Sequence, residues 1–92
     1  MDSFGELLRN RREDLGLPLR KVAAELDIDT SILSKIERNE RTATKEMLPV
    51  LSTVLDIDLR ELEIRFIREQ IQSQFGDMKY LKDALSKAVQ EL

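Results

Sequence analysis

The 92-residue chain contains no cysteine and no histidine. The first absence excludes disulfides, thiolate metal sites and cysteine nucleophiles, and the second removes the commonest general base and metal ligand. Enzymatic chemistry would have to rest on carboxylates alone, and these sit mostly at helix starts or opposite cations, where capping and pairing account for them. No apolar run approaches the roughly 20 residues of a membrane span, and the N-terminus lacks a signal-peptide pattern. The expectation is a cytoplasmic protein that needs no cofactor or metal, does not contact a membrane and is not an enzyme. An overall basic field is missing too: 15 Lys and Arg stand against 18 Asp and Glu, a net charge of −3. Any steering toward nucleic acid must therefore be local.

What is present reads as one small all-helical domain with an appended element, since 41% of the residues are hydrophobic and 36% charged. Ser3-Phe4-Gly5-Glu6 matches a capping box, and Phe4, Leu7, Leu8 and Leu15 line one face of a first helix until Gly16 offers a stop. Pro18 suits the first turn of a second helix ending near Leu26. Asp29 is placed to cap a third by accepting from the backbone of Ser31 or Ile32, and Asn39 can end it in the left-handed conformation. Thr44 is placed to cap a fourth helix with Met47, Leu48, Val50, Leu51, Val54 and Leu55. In its interior Pro49 would lose a bond to Lys45 and clash, so this helix begins later or starts distorted.

Asp58 with Glu61 repeats the capping signal before a fifth helix. Its broad apolar face, Leu59, Leu62, Phe66, Ile67, Ile71 and Phe75, runs up to Gly76. Asp77 is placed to cap a sixth. There Met78, Leu81, Leu85, Ala88 and Leu92 follow a narrow seam of the coiled-coil kind. Two such faces exceed what one small domain needs to bury, which leaves a fold-back onto the core or a homodimer interface formed by Phe66, Ile67, Ile71, Phe75, Met78, Leu81, Leu85 and Ala88.

The stretch from Leu17 to Arg41 carries the functional signal. Leu19, Val22, Ala23 and Leu26, then Ile32, Leu33 and Ile36, follow helical spacing on either side of Asp27-Ile28-Asp29. Thr30, Ser31, Ser34, Lys35 and Arg38 are left pointing outward. Small hydroxyl residues early in a helix let its N-terminus approach the floor of the major groove, while cations one and two turns later meet bases or phosphates. Ala23 and Ala24 would allow the two helices to cross closely. Around this stretch Arg9, Arg11, Arg12, Arg20 and Lys21 outnumber Glu13 and Asp14, and Lys35, Arg38, Arg41 and Lys45 stand against Glu37, Glu40 and Glu46.

These residues resemble the phage repressor and Cro type of helix-turn-helix domain, the Xre family, over Phe4 to Leu62. The marks are Arg12 before Leu15-Gly16, Ala23, Ile36-Glu37-Arg38, and Leu55-Asp56-Ile57-Asp58 through Leu62. The resemblance implies a five-helix repressor-like fold with one additional C-terminal helix: a DNA-binding domain over 1–57 and a helical, dimerising extension over 58–92. It implies a structural ion pair between Arg12 and Glu37. It also implies that Thr30, Ser31, Ser34 and Lys35 face base edges and that Arg38, Arg41, Thr42 and Lys45 lie near phosphates. Leu19 stands where relatives carry a phosphate-touching Gln, so Arg20 is the replacement contact. Asn39 stands where they favour Gly, and the turn should survive.

The implied function is a homodimeric transcriptional regulator on near-palindromic double-stranded DNA, autoregulating its operon as restriction-modification controllers do, with RNA polymerase as a further partner. The alternative is an antitoxin-like interaction module whose C-terminal helices bind a toxin or another protein.

Overall fold

The computed structural model describes residues 2–92. Six helices and no strand occur among them: α1 (Phe4–Asp14), α2 (Leu19–Glu25), α3 (Thr30–Glu37), α4 (Met47–Leu55), α5 (Leu59–Phe75) and α6 (Leu81–Glu91). The all-α architecture with an extra C-terminal helix is the one expected. Two starts are capped as the sequence suggests, with Ser3 Oγ accepting from Glu6 N–H at 3.2 Å and Asp58 Oδ2 from Glu61 N–H at 3.1 Å.

The first four helices end alike. Each is followed by a residue in the left-handed region, Gly16, Asp27, Asn39 and Asp56, with φ of 68°, 56°, 62° and 51°. The N–H of the next residue, Leu17, Ile28, Glu40 or Ile57, then reaches back to the carbonyl of Arg12, Ala23, Lys35 or Ser52. This satisfies the last carbonyls and turns the chain sharply. Leu17, Ile28 and Ile57 also pack against the core, the apolar contact that usually seals such a stop. Glu40 is the exception and is exposed.

The core gathers Phe4 and Leu8 of α1, Val22 and Ala23 of α2, Leu33 and Ile36 of α3, Leu48, Leu51 and Leu55 of α4, and Leu62 of α5, with Ala43 pinning the loop between α3 and α4. Several expectations need correction. Leu15 lies just past α1 and is exposed, and Ala24 is exposed while Ala23 alone faces the crossing helix. The Asp29 side chain makes no capping bond; its carbonyl accepts from Ile32 N–H at 3.0 Å instead. Thr44 likewise contributes only its carbonyl, to a turn that precedes α4. Because α4 starts at Met47, Pro49 falls in the first turn, where a missing N–H costs no intrahelical bond. Asp77 does not cap α6, which begins after Tyr80; Asp77 and Met78 belong to the connecting turn.

Gly5 marks a close approach of α1 to the end of α3. A Cβ there would lie 2.5 Å from the carbonyl oxygen of Ile36 and 2.6 Å from that of Glu37, backbone atoms that cannot swing aside. Gly5→Ala is therefore expected to destabilise the chain by about 1–3 kcal/mol through overpacking, despite its better helix propensity, as read by urea unfolding.

α6 stands apart. No α6 residue is buried, and the molecule extends 42 × 24 × 23 Å.

Candidate nucleic-acid interface

α3 presents the expected face. Leu33 and Ile36 are buried beneath it, which leaves Thr30, Ser31 and Lys35 exposed and Ser34 half-buried along the outer side. Arg38, Arg41, Thr42 and Lys45 follow on the exposed end of α3 and the next loop, and Arg20 is exposed in the first turn of α2. Among the described residues, Arg20, Lys35, Arg41 and Lys45 have no carboxylate within ion-pair distance, so their charges are available to an anionic partner. Arg38 is drawn to Glu40 at 3.1 Å. Both side chains are about half exposed, and such a pair exchanges readily for phosphate.

Behind this face, Arg12 and Glu37 meet. Arg12 Nε donates to Glu37 Oε2 at 2.8 Å and Nη2 to Oε1 at 3.1 Å, a bidentate fork, while Nη1 donates to the Leu17 carbonyl at 2.9 Å. One guanidinium thus joins α1, the α1–α2 turn and α3. The hydrogen bonds that Arg12 donates to Glu37, aided by the carboxylate's charge and opposed by burial, raise the Arg12 pKa further above its usual value. It remains a cation at any working pH.

Arg11 was not foreseen in its role. It donates to the Leu55 carbonyl at 2.8 Å and reaches the carbonyl and carboxylate of Asp56, closing the end of α4. A cation at a helix C-terminus meets the negative end of the dipole. Arg11 and Arg12 are therefore engaged within the fold, and the basic surface expected around Arg9 to Lys21 is smaller than the count of cations suggests. The only signal available was the cation-rich spacing itself, which does not distinguish an inward arginine from an outward one.

The residues expected at a dimer interface divide into three groups. Phe66 is half-buried with its ring edge-on to Phe4 at 5.5 Å, inside its own chain. Ile67 is exposed on the α4 side of α5, near Leu48 and Pro49. The other six, Ile71, Phe75, Met78, Leu81, Leu85 and Ala88, line a single cleft of about 630 Å³ between the end of α5 and α6. No helix among the described residues is long and apolar enough to cross a membrane.

Comparison with protein families matches residues 8–62 to the family described as Helix-turn-helix. These limits fall on Leu8 and Leu62, both fully buried in the core. Neither the curated proteins nor the solved structures yielded a match.

Proposed function

From the chain's membership of the Xre-type helix-turn-helix family, whose domain belongs to DNA-binding transcription regulators, we propose that it acts as a homodimer on a near-palindromic operator, the 58–92 extension holding the two copies together. The observation that carries this reading is the lone α6. An isolated helix of 11 residues is marginal in water, and one with no buried residue needs a partner surface. The cleft beside it exposes Phe75 and Met78. A second copy supplies the same surface in matching amount, and a two-fold axis would set two α3 helices about 34 Å apart, one turn of DNA.

In this reading Thr30, Ser31, Ser34 and Lys35 meet base edges, and Arg20, Arg38, Arg41, Thr42 and Lys45 meet phosphates. Lys35 donates to guanine O6 and N7, while the hydroxyl residues discriminate weakly and leave part of the selectivity to DNA shape and bridging water. Bound over its own promoter the dimer represses; bound upstream it recruits RNA polymerase. Autoregulation in the manner of restriction-modification controllers rests on resemblance, and it places the protein's action in the cytoplasm.

Selection of bound sites from random DNA by the purified chain tests the proposal, which expects two inverted half-sites and a match upstream of the chain's own coding sequence. Enrichment of no sequence, together with an aggregated or partly disordered sample, would favour the antitoxin-like reading, in which the α5–α6 cleft receives another protein. On the selected operator, Lys35→Ala should cost about 1–3 kcal/mol and relax preference at one position, whereas Arg41→Ala should weaken operator and random DNA alike. Equal losses on both DNAs for both variants would remove Lys35 from the base-reading set.

A further inference from the structure

The N-terminus of α1 is gripped from two sides by residues far away in sequence. On one side Asn39, just past α3, accepts from Gly5 N–H at 3.2 Å through Oδ1 and donates to Ser3 Oγ at 2.7 Å through Nδ2. On the other, Glu69 of α5 accepts from Phe4 N–H at 2.9 Å, the Phe66 ring rests against Phe4, and Arg65 donates to the Asp2 carbonyl. The helix end lies between the last carbonyls of α3 and a carboxylate of α5. Both complement the positive end of the α1 dipole.

These long-range caps do more than start a helix. Ser3 already satisfies Glu6 N–H locally, and its own carbonyl accepts from Leu7 N–H. The turn at residue 39 requires only a residue that tolerates positive φ, and glycine would serve at least as well. What Asn39 adds over glycine is its side-chain link to α1, and what Glu69 adds to the Phe66 and Arg65 contacts is a directional hydrogen bond from the α1 backbone to α5. The chain of contacts from the recognition helix to α5 is continuous: α3, Asn39, the start of α1, Glu69. Among the described residues, Glu69 is also the last residue of α5 hydrogen-bonded to the head, the body formed by α1 to α4 with the start of α5. Beyond it the helix carries Ile71 and Phe75 out to the cleft.

We infer that Asn39 and Glu69 are positioning residues that fix the angle between α5 and the recognition helix, so that docking of two extensions dictates the spacing and orientation of the two DNA-reading helices. The inference rests on the homodimer reading above. It requires no contact between either residue and DNA.

The test uses the full chain and its Glu69→Ala, Glu69→Gln and Asn39→Gly variants, each first shown to be folded and of unchanged mass. Binding is measured on the selected operator, on the same DNA with one half-site scrambled, and on operators with spacing altered by one or two base pairs. Glu69→Ala should weaken two-half-site binding about tenfold through loss of one charge-assisted hydrogen bond, leave single-half-site binding within about twofold, and flatten the dependence on spacing. Glu69→Gln, whose amide oxygen can still accept from Phe4 N–H but which gives up the charge and the 3.7 Å pair with Arg65, should fall closer to the unaltered chain than to Glu69→Ala, and Asn39→Gly should follow Glu69→Ala. A role confined to folding would lower both kinds of binding together, and that result overturns the inference, as does Glu69→Ala binding unchanged to every DNA. If the unaltered chain itself shows no preference for two half-sites, the homodimer reading fails and this inference with it. A preserved preference with insensitive variants overturns the coupling alone.

Discussion

If the chain pairs through α6 as proposed, Leu81→Lys with Leu85→Lys should yield folded monomers that bind the selected operator about 100-fold or more weakly, because the second half-site is then no longer engaged at the high effective concentration of a linked partner. Both side chains line the α5–α6 cleft, and neither belongs to the core cluster of the head. The residues lining the cleft include no carboxylate, so two ammonium groups placed there must stay hydrated, which a closed apolar interface forbids. Light scattering should give a mass near 10.7 kDa for the variant and about twice that for the unaltered chain. Circular dichroism should retain the signal of α1 to α5, losing at most that of α6, which a short helix without a partner cannot hold. Collapse of the whole helical signal would mean that these leucines support the head. An unchanged mass would place the interface elsewhere, with Ile67 and the α4 side of α5 as the next surface to alter.

The head was largely legible in the sequence because its determinants are local. The caps at Ser3 and Asp58, the stops at Gly16 and Asn39, and the apolar spacing through α2, α3 and α4 all depend on residues within one or two turns. Where the sequence misled, a tertiary or geometric condition decided. Ala24 looks as suitable as Ala23 for a close crossing, yet helical rotation turns one inward and the next outward. Asp77 has the right chemistry for a cap, but the chain needs three further residues to turn before α6 begins. Asp27 and Asp56 adopt the left-handed region without glycine, which composition alone would not single out. The bonds from Phe4 N–H to Glu69 and from Arg11 to the Leu55 carbonyl join residues 65 and 44 positions apart, and no periodicity records such pairs. The Arg12–Glu37 fork is equally non-local at 25 positions. It could be anticipated only through resemblance to the family.

Removal of Glu37 alone should be among the most destabilising single changes, costing about 3–5 kcal/mol, since it leaves the Arg12 guanidinium desolvated and without its counter-charge. The side chains of Arg12 and Glu37 are only 12% and 4% exposed, so water cannot replace the lost carboxylate without opening the junction of α1 and α3. For a domain whose total stability is on the order of 5–15 kcal/mol, Glu37→Ala should populate unfolded chains at moderate temperature, visible as a large drop in urea midpoint. The contribution from Arg12 does not titrate near neutrality. Its pKa is raised, so the stabilisation is complete below the unfolded value and fades only as pH climbs through the still higher folded one.

Joint replacement, Arg12→Met with Glu37→Leu, exchanges the charges for apolar packing, and stability should recover to within about 1 kcal/mol of the unaltered chain or exceed it. That pair of results separates stability from orientation. The fork fixes α3 through two directional bonds, whereas methionine against leucine permits small rotations about the same contact. The double variant is therefore expected to fold well and still show a reduced ratio of operator to random-DNA affinity, with its phosphate-driven binding preserved. An undiminished ratio would mean that packing of Leu33 and Ile36 alone orients the recognition helix, and that the buried ion pair does not contribute to reading DNA.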